Sequence, residues 1–187
     1  MKKLIAVCGE SASGKNALVK LLLEKYPETF HRKVSYTTRK PRSGELDGED
    51  YHFITREEFF NLIMTDRMIE AAEIGEEMYG TCINSLDDDK INVGIFDPQG
   101  LEILSNTKDI ELLPFYINTD ERIRVKRSLD REITIDAIYE RLKEDRRLFD
   151  GIKNFPHIII LDNKEGDIAF NVRIVKTISD EIFLKQI

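Results

Sequence analysis

The chain has 187 residues, 41% of them hydrophobic and 34% charged, with a formal net charge of −7. That length fits one compact domain with a real core, and the negative balance argues against bulk electrostatic binding to nucleic acid or to an anionic membrane. The two cysteines sit in unrelated contexts, Cys8 closing a strand and Cys82 after a Tyr-Gly-Thr turn, so they make no disulfide framework and point to reducing cytoplasm.

Leu4 to Val7 reads as a fully buried strand, and the apolar stretch stops at Gly9, too short for a signal peptide or a membrane span. Gly9-Glu-Ser-Ala-Ser-Gly-Lys15 follows, and then an amphipathic helix from Asn16 to Tyr26 with Leu18, Leu21, Leu22 and Tyr26 inward, ended by Pro27. Strand, glycine-rich loop and helix in that order make a phosphate-binding P-loop. Backbone N–H groups along Gly9, Ser11, Ala12, Ser13 and Gly14 converge on an anion, and Lys15 reaches the outer phosphates of a nucleoside triphosphate. Ser or Thr normally follows that lysine and ligates Mg²⁺; Asn16 stands there, so its amide oxygen is the candidate metal ligand.

From Lys33 to Thr81 the texture changes to short alternating pieces, Val34-Ser-Tyr-Thr, the turn-rich 41–48 and Tyr51-His-Phe-Ile, which reads as an inserted β-rich subdomain. Thr55-Arg-Glu-Glu58 is a capping box opening a helix through Met64, and Arg67 to Ile74 is a strand. Asn92 to Phe96, Glu111 to Ile117 and Ile158 to Leu161 are further strands, each followed by a helix signal. This alternation predicts a mostly parallel α/β sheet whose ligands lie beyond the carboxyl ends of the strands, where Gly9, Asp97 and Asn118 fall. The segment from Glu121 to Asp150 is charged and helical, with arginines at 122, 124, 127, 131, 141, 146 and 147.

The stretch Val34-Ser-Tyr-Thr-Thr-Arg-Lys-Pro-Arg-Ser-Gly-Glu45 brings Ser35, Arg39 and Arg42 into one loop. Two guanidinium forks beside hydroxyl donors make a dianion receptor; a solvated basic turn is the plain alternative. His31, His52 and His157 show no ligand spacing, and Cys8 and Cys82 read as small buried residues.

Together with Gly48-Glu-Asp-Tyr-His-Phe, Ile69-Glu70-x-Ala-Glu, Tyr79-Gly80-Thr81 and Asp97-Pro-Gln-Gly100, these segments resemble the guanylate kinase family from residue 4 to about residue 145. The resemblance implies a P-loop NTPase-type parallel sheet flanked by helices (core 1–32, 90–124 and 146–187), an inserted β-rich GMP-binding subdomain (33–89) and a helical lid (125–145). It implies that Ser35, Arg39, Arg42, Tyr51 and Tyr79 hold the acceptor phosphate. Glu70, Thr81 and Asp97, with Ser35, would read the guanine edge. A carboxylate accepts from N1–H and the exocyclic amine of guanine, Thr81 donates to O6, and adenine presents the opposite pattern. Arg131 and Arg141 match the lid arginines and Arg127 is a weaker third match, while Arg122, Arg124, Arg146 and Arg147 read as surface charges.

Departures from the family pattern cluster on the donor side. Asn16 replaces the metal-contacting hydroxyl, and Ile95 stands two residues before Asp97 where a second aspartate is usual. The lid lacks an Arg-Gly-Thr element, Arg131 being followed by Glu132-Ile133. The helix expected after Thr81 is shortened by roughly one turn, and Leu161 takes the place of an adenine-contacting asparagine. Two functions follow: an ATP- and Mg²⁺-dependent kinase of GMP or dGMP, or a non-catalytic module that binds a nucleotide or phosphopeptide at the acceptor site. Either would be a cytoplasmic monomer or homodimer without nucleic-acid or membrane partners.

Overall fold

The computed structural model describes residues 1–42, 44–65, 67–131, 133–164 and 167–184, and of Ile74 only the backbone. A parallel sheet of five strands is ordered β2-β7-β1-β8-β9, from β1 (Lys2–Cys8), β2 (Phe30–Arg32), β7 (Ile91–Ile95), β8 (Ile110–Asn118) and β9 (Ile159–Asp162). Lying between β7 and β8, β1 is buried on both faces, which is why it is a continuous apolar run rather than an alternating one. Its side chains still alternate: Ile5 and Val7 join Leu18 and Leu22 of α1 (Lys15–Lys25) with Val172 and Val175 of α6 (Ile168–Ser179). Leu4, Ala6 and Cys8 point the other way, against Leu101 and Leu104 of α3 (Pro98–Ser105).

The second sheet has the order β4-β3-β6-β5, from β3 (Ser35–Thr37), β4 (Tyr51–Phe53), β5 (Met68–Ile74) and β6 (Glu77–Cys82). Its registers place Ser35 beside Tyr51, Thr37 beside Tyr79 and Glu70 beside Thr81. Between β4 and β5 runs α2 (Arg56–Met64), opened by the predicted capping box: Thr55 Oγ1 accepts from Glu58 N, and Glu58 reaches back to Thr55 N. It buries Phe59 under the sheet. After β8 come α4 (Glu121–Leu129), capped by Asp120, and α5 (Ile135–Leu148), capped by Thr134.

The predicted strands fall where the periodicity puts them, with two additions: β2, three residues whose pairing with β7 makes them an edge strand, carries no periodicity of its own, and β6 takes in Tyr79-Gly-Thr, read from the sequence as a turn, because pairing with both β3 and β5 holds it extended. The inward face of α1 is Leu18, Val19 and Leu22; Leu21 and Tyr26 are only partly buried. After Thr81 a single 3-10 turn, Ile83–Ser85, takes the place of a longer helix. Among the described residues no helix is long and apolar enough to cross a membrane.

The turn out of β1 is sterically closed. Gly9 has φ +148°, and a Cβ there would meet Ile117 O and Ser13 Oγ at 2.9 Å. Gly9→Ala is therefore expected to cost about 2 kcal/mol or more in urea unfolding, through both the backbone conformation and the clash; an unchanged midpoint would show that the loop has another arrangement.

Candidate active site

The loop after β1 follows the P-loop course. Gly14, in the left-handed region, is the N-cap of α1, and Ala12 is also left-handed at φ 59°. The helix N-terminus therefore faces the opening, with its backbone N–H groups available to an anion. Three separate stretches hold the loop through one atom: the Ser13 carbonyl accepts from Thr119 Oγ1 (2.8 Å), Arg127 Nη1 (3.1 Å) and Asn163 Nδ2 (2.7 Å). Lys15 Nζ folds back onto the carbonyls of Gly9 (2.6 Å) and Glu10 (2.9 Å). Burial pulls its pKa below the ordinary lysine value, and the Asp145 carboxylate opposes that shift.

On the other side of the loop, the Asp145 carboxylate of α5 accepts from Ser11 N (3.0 Å), Ser11 Oγ (3.1 Å) and Arg124 Nη1 (3.0 Å). Both members of this ion pair are buried. Glu10 is held by the Tyr116 hydroxyl at 2.8 Å. The sequence reading of Arg124 as a surface charge is thus corrected: it is 5% exposed and joins α4 to the loop and to α5. Arg146 does stay exposed, paired with Glu121. Arg131 and Arg141 are exposed, and neither hydrogen-bonds the loop among the described residues; Glu132 lies outside them. Leu161 is buried in the core, and the carboxamide that reaches the loop comes instead from Asn163, two residues later.

A cleft of about 600 Å³ runs from α1 to the second sheet, and Asn16, Lys33, Ser35, Arg39, Arg42, Tyr51, Tyr79 and Ile95 all line it. The residues predicted to hold the acceptor phosphate therefore share one cavity with Asn16 at the end of the P-loop. Arg39 Nη2 pairs with Glu45 Oε1 at 2.9 Å and lies over the rings of Tyr51 and Phe53 at 5.5 and 5.7 Å. That pairing, with the Arg42 backbone N–H on the same carboxylate, holds Glu45 below the ordinary carboxylate pKa. Tyr51 and Tyr79 meet edge to face, 5.9 Å apart.

Behind this cleft the β5–β6 register puts Glu70 against Thr81, whose hydroxyl donates to Glu70 Oε1 at 2.5 Å. Lys33 Nζ donates to the same Thr81 oxygen at 2.8 Å and sits 4.1 Å from the Phe96 ring centroid. In this arrangement the one Thr81 proton is directed to Glu70, where the resemblance implied donation to a base. Asp97 caps α3, one carboxylate oxygen accepting from Gly100 N at 2.7 Å.

Asn16 is exposed on the cleft wall and Ile95 is 37% exposed nearby on the same wall. Among the described residues no three His, Cys, Asp or Glu side chains cluster to hold a metal. The donor set is one neutral carboxamide oxygen, which suits a Mg²⁺ carried on a triphosphate and not one held by the protein alone.

Lys33, Thr119, Arg124, Asp145 and Asn163 are among the polar residues that sequence reasoning missed. Each is a single polar residue in a polar stretch, indistinguishable there from a solvated one. Only the three-residue spacing of Arg124 and Arg127, which puts both on one helical face, was a usable signal.

A family model described as guanylate kinase matches residues 1–176. A guanylate kinase of Campylobacter jejuni (strain RM1221) is 33% identical over 166 residues, covering 85% of this chain and 80% of that protein. MAGUK p55 subfamily member 4 of Rattus norvegicus is 29% identical over 196 residues, covering 96% of this chain and 44% of that protein. Among solved structures, guanylate kinase from Anaplasma phagocytophilum superposes with a TM-score of 0.69 at 24% identity, over 99% of this chain and 88% of that one.

Two outcomes are expected of the buried charges. Removing one partner of a buried pair strands the other, so Arg124→Met or Asp145→Leu alone should each cost about 3 kcal/mol; the double variant should recover at least half of the summed loss, which a thermal-melt cycle would read. Burial lowers Lys33 from 10.5 to about 8 despite the Glu70 charge. Between those values the unfolded chain binds a proton that the folded chain has released, so stability rises with pH. Denaturant titrations from pH 8 to 10.5 should show the wild type gaining on Lys33→Met across that window.

Proposed function

The chain belongs to the guanylate kinase family, and on that premise we propose that it transfers the γ-phosphoryl group of ATP to GMP or dGMP, giving ADP and the nucleoside diphosphate. The observation that carries this reading is the single cleft that joins Asn16 at the end of the P-loop to Ser35, Arg39, Arg42, Tyr51 and Tyr79. A phosphoryl donor and a phosphate acceptor must share one water-poor space for in-line transfer, and this cleft brings the acceptor-phosphate residues to Asn16, next to Lys15 in the chain.

In this reading residues 1–32, 90–124 and 146–187 form the core, 33–89 the GMP-binding part and 125–145 the lid. The N–H groups of Ala12, Gly14, Lys15 and Asn16 hold the triphosphate while that of Ser11 stays on the Asp145 carboxylate and that of Ser13 on the Glu10 carbonyl, and Lys15 leaves the carbonyls of Gly9 and Glu10 to bind its outer oxygens. Arg39 and Arg42 hold the acceptor phosphate, Arg39 exchanging Glu45 for the ligand, while the hydroxyls of Ser35, Tyr51 and Tyr79 orient it. Glu70 selects guanine at N1–H and the exocyclic amine. Arg131 and Arg141 come over the transferring group when the lid closes and neutralise its charge. No general base is required, because the acceptor phosphate is already ionised at neutral pH. Asn16 would be the residue of this chain that holds Mg²⁺, which would supply charge neutralisation on the donor triphosphate. The free thiols of Cys8 and Cys82 fit a reducing cytoplasm.

A non-catalytic binding module is the second reading, favoured by apolar Ile95 on the cleft wall and by the likeness to a MAGUK protein. A coupled assay of ADP release with GMP, dGMP, AMP, CMP and dTMP separates the two. The kinase reading expects turnover with guanine nucleotides only, a loss of about 100-fold or more in kcat on Lys15→Ala, and a gain of about tenfold on Asn16→Ser as a hydroxyl ligand is restored. Folded protein that binds GMP yet turns over no acceptor would leave the module.

A further inference from the structure

Lys33 is a buried lysine at the hinge between the two sheets. Its backbone N–H donates to Val93 O at 2.9 Å, which ties the exit of β2 to β7, and Ser35 of β3 follows two residues later. Its stem passes over Gly94, where a Cβ would come within 3.2 Å of Lys33 Cδ, so that glycine makes room for it. The residue is 7% exposed and is one of those that line the acceptor cleft.

The direction of each hydrogen bond at this point follows from which groups can donate. An ammonium only donates and an ionised carboxylate only accepts, so Thr81 accepts from Lys33 and gives its proton to Glu70. The hydroxyl then has nothing to donate to a ligand. Glu70 keeps a second oxygen for the donors on a base. Lys33 has three N–H groups; one is on Thr81 and the ammonium also faces the Phe96 ring, which leaves donor capacity for a further acceptor.

We propose that Lys33 is a specificity-determining residue of the acceptor site, its ammonium donating to O6 of guanine while Glu70 accepts from the N1–H and amine beside it. The inference rests on the acceptor-site reading above. Guanine presents an acceptor at C6 and adenine a donor, so an ammonium there favours the first and opposes the second. A charge-assisted bond in a desolvated site is also stronger than the one a neutral hydroxyl would make. Burial, which brings Lys33 down to about pKa 8, leaves the ammonium form prevalent at neutral pH.

The test compares binding of GMP with that of 6-thio-GMP, which keeps N1–H and the amine but replaces O6 with a poorly accepting sulfur. Calorimetry on the wild type, Lys33→Met and Lys33→Gln is expected to give the wild type about tenfold weaker binding of 6-thio-GMP than of GMP. Lys33→Met should bind GMP about 10- to 100-fold more weakly and lose the preference between the two, and Lys33→Gln, which restores an N–H donor, should regain part of it. If Lys33→Met weakens both ligands equally and retains the wild-type ratio, Lys33 only supports the fold and the proposal is overturned. Wild-type protein that binds no guanine nucleotide would overturn the acceptor-site reading and this inference with it. Should the variants fail to fold, the ¹⁵Nζ signal of Lys33 in labelled wild type decides: it should shift on saturation with GMP and much less with 6-thio-GMP, and equal or absent shifts would overturn the proposal.

Discussion

One carbonyl oxygen holds the donor side together. Ser13 O receives a hydroxyl from the end of β8, a guanidinium from α4 and a carboxamide from the end of β9. Each comes from a different part of the chain, and all three arrive at the carboxyl edge of the parallel sheet. Backbone polar groups this far from water need partners, and here the partners also dictate where the loop N–H groups point. The loop is therefore shaped before any phosphate arrives, at the cost of a left-handed Ala12, a conformation about 1–2 kcal/mol unfavourable for an L-residue.

The same edge carries a second, electrostatic brace. Asp145 and Arg124 are both buried, and the carboxylate takes the backbone and hydroxyl donors of Ser11 as well as the guanidinium. Buried pairs contribute little net stability when compared with well-packed apolar residues. What this one supplies is a connection, because it binds both helices following β8 to the loop. Arg127 lies one turn beyond Arg124 and reaches the loop too, so α4 presents two arginines to it on one face. In the conformation described, Lys15 is satisfied by the loop's own carbonyls and Arg39 by Glu45, so both cations have internal counterparts to exchange when a phosphate enters.

The acceptor side is organised differently, by strand register. Pairing Ser35 with Tyr51 and Thr37 with Tyr79 brings the hydroxyls of Ser35, Tyr51 and Tyr79 to the wall of one cleft, and pairing Glu70 with Thr81 makes a half-buried carboxylate contact that Lys33 completes. A slip of one residue in any of these pairings would turn these side chains to the opposite face. Phe59, fully buried from α2, and the close approach of Gly80 to Glu70 O and to the Phe59 ring lock that register.

Signals confined to a few neighbouring residues were legible in the sequence: the glycine-rich loop between a strand and a helix, the Thr55–Glu58 capping box, the apolar runs of β1, β7, β8 and β9, and the basic loop that holds Arg39 and Arg42. Each depends on local conformational preference or on a periodicity that the chain carries whatever it packs against. Only the tertiary structure decided which polar residues are buried and whom they meet. Arg124 finds Asp145 across 21 positions, Thr81 finds Lys33 across 48 and Asn163 finds Ser13 across 150. Such encounters follow from the order of strands in a sheet and the crossing of helices over it, and a single charged residue in a polar stretch has the same local pattern in water as in a pocket. The proton on Thr81 shows the difference: the residue alone permits donation to a ligand, while the lysine and glutamate that folding brings to it direct that proton to Glu70.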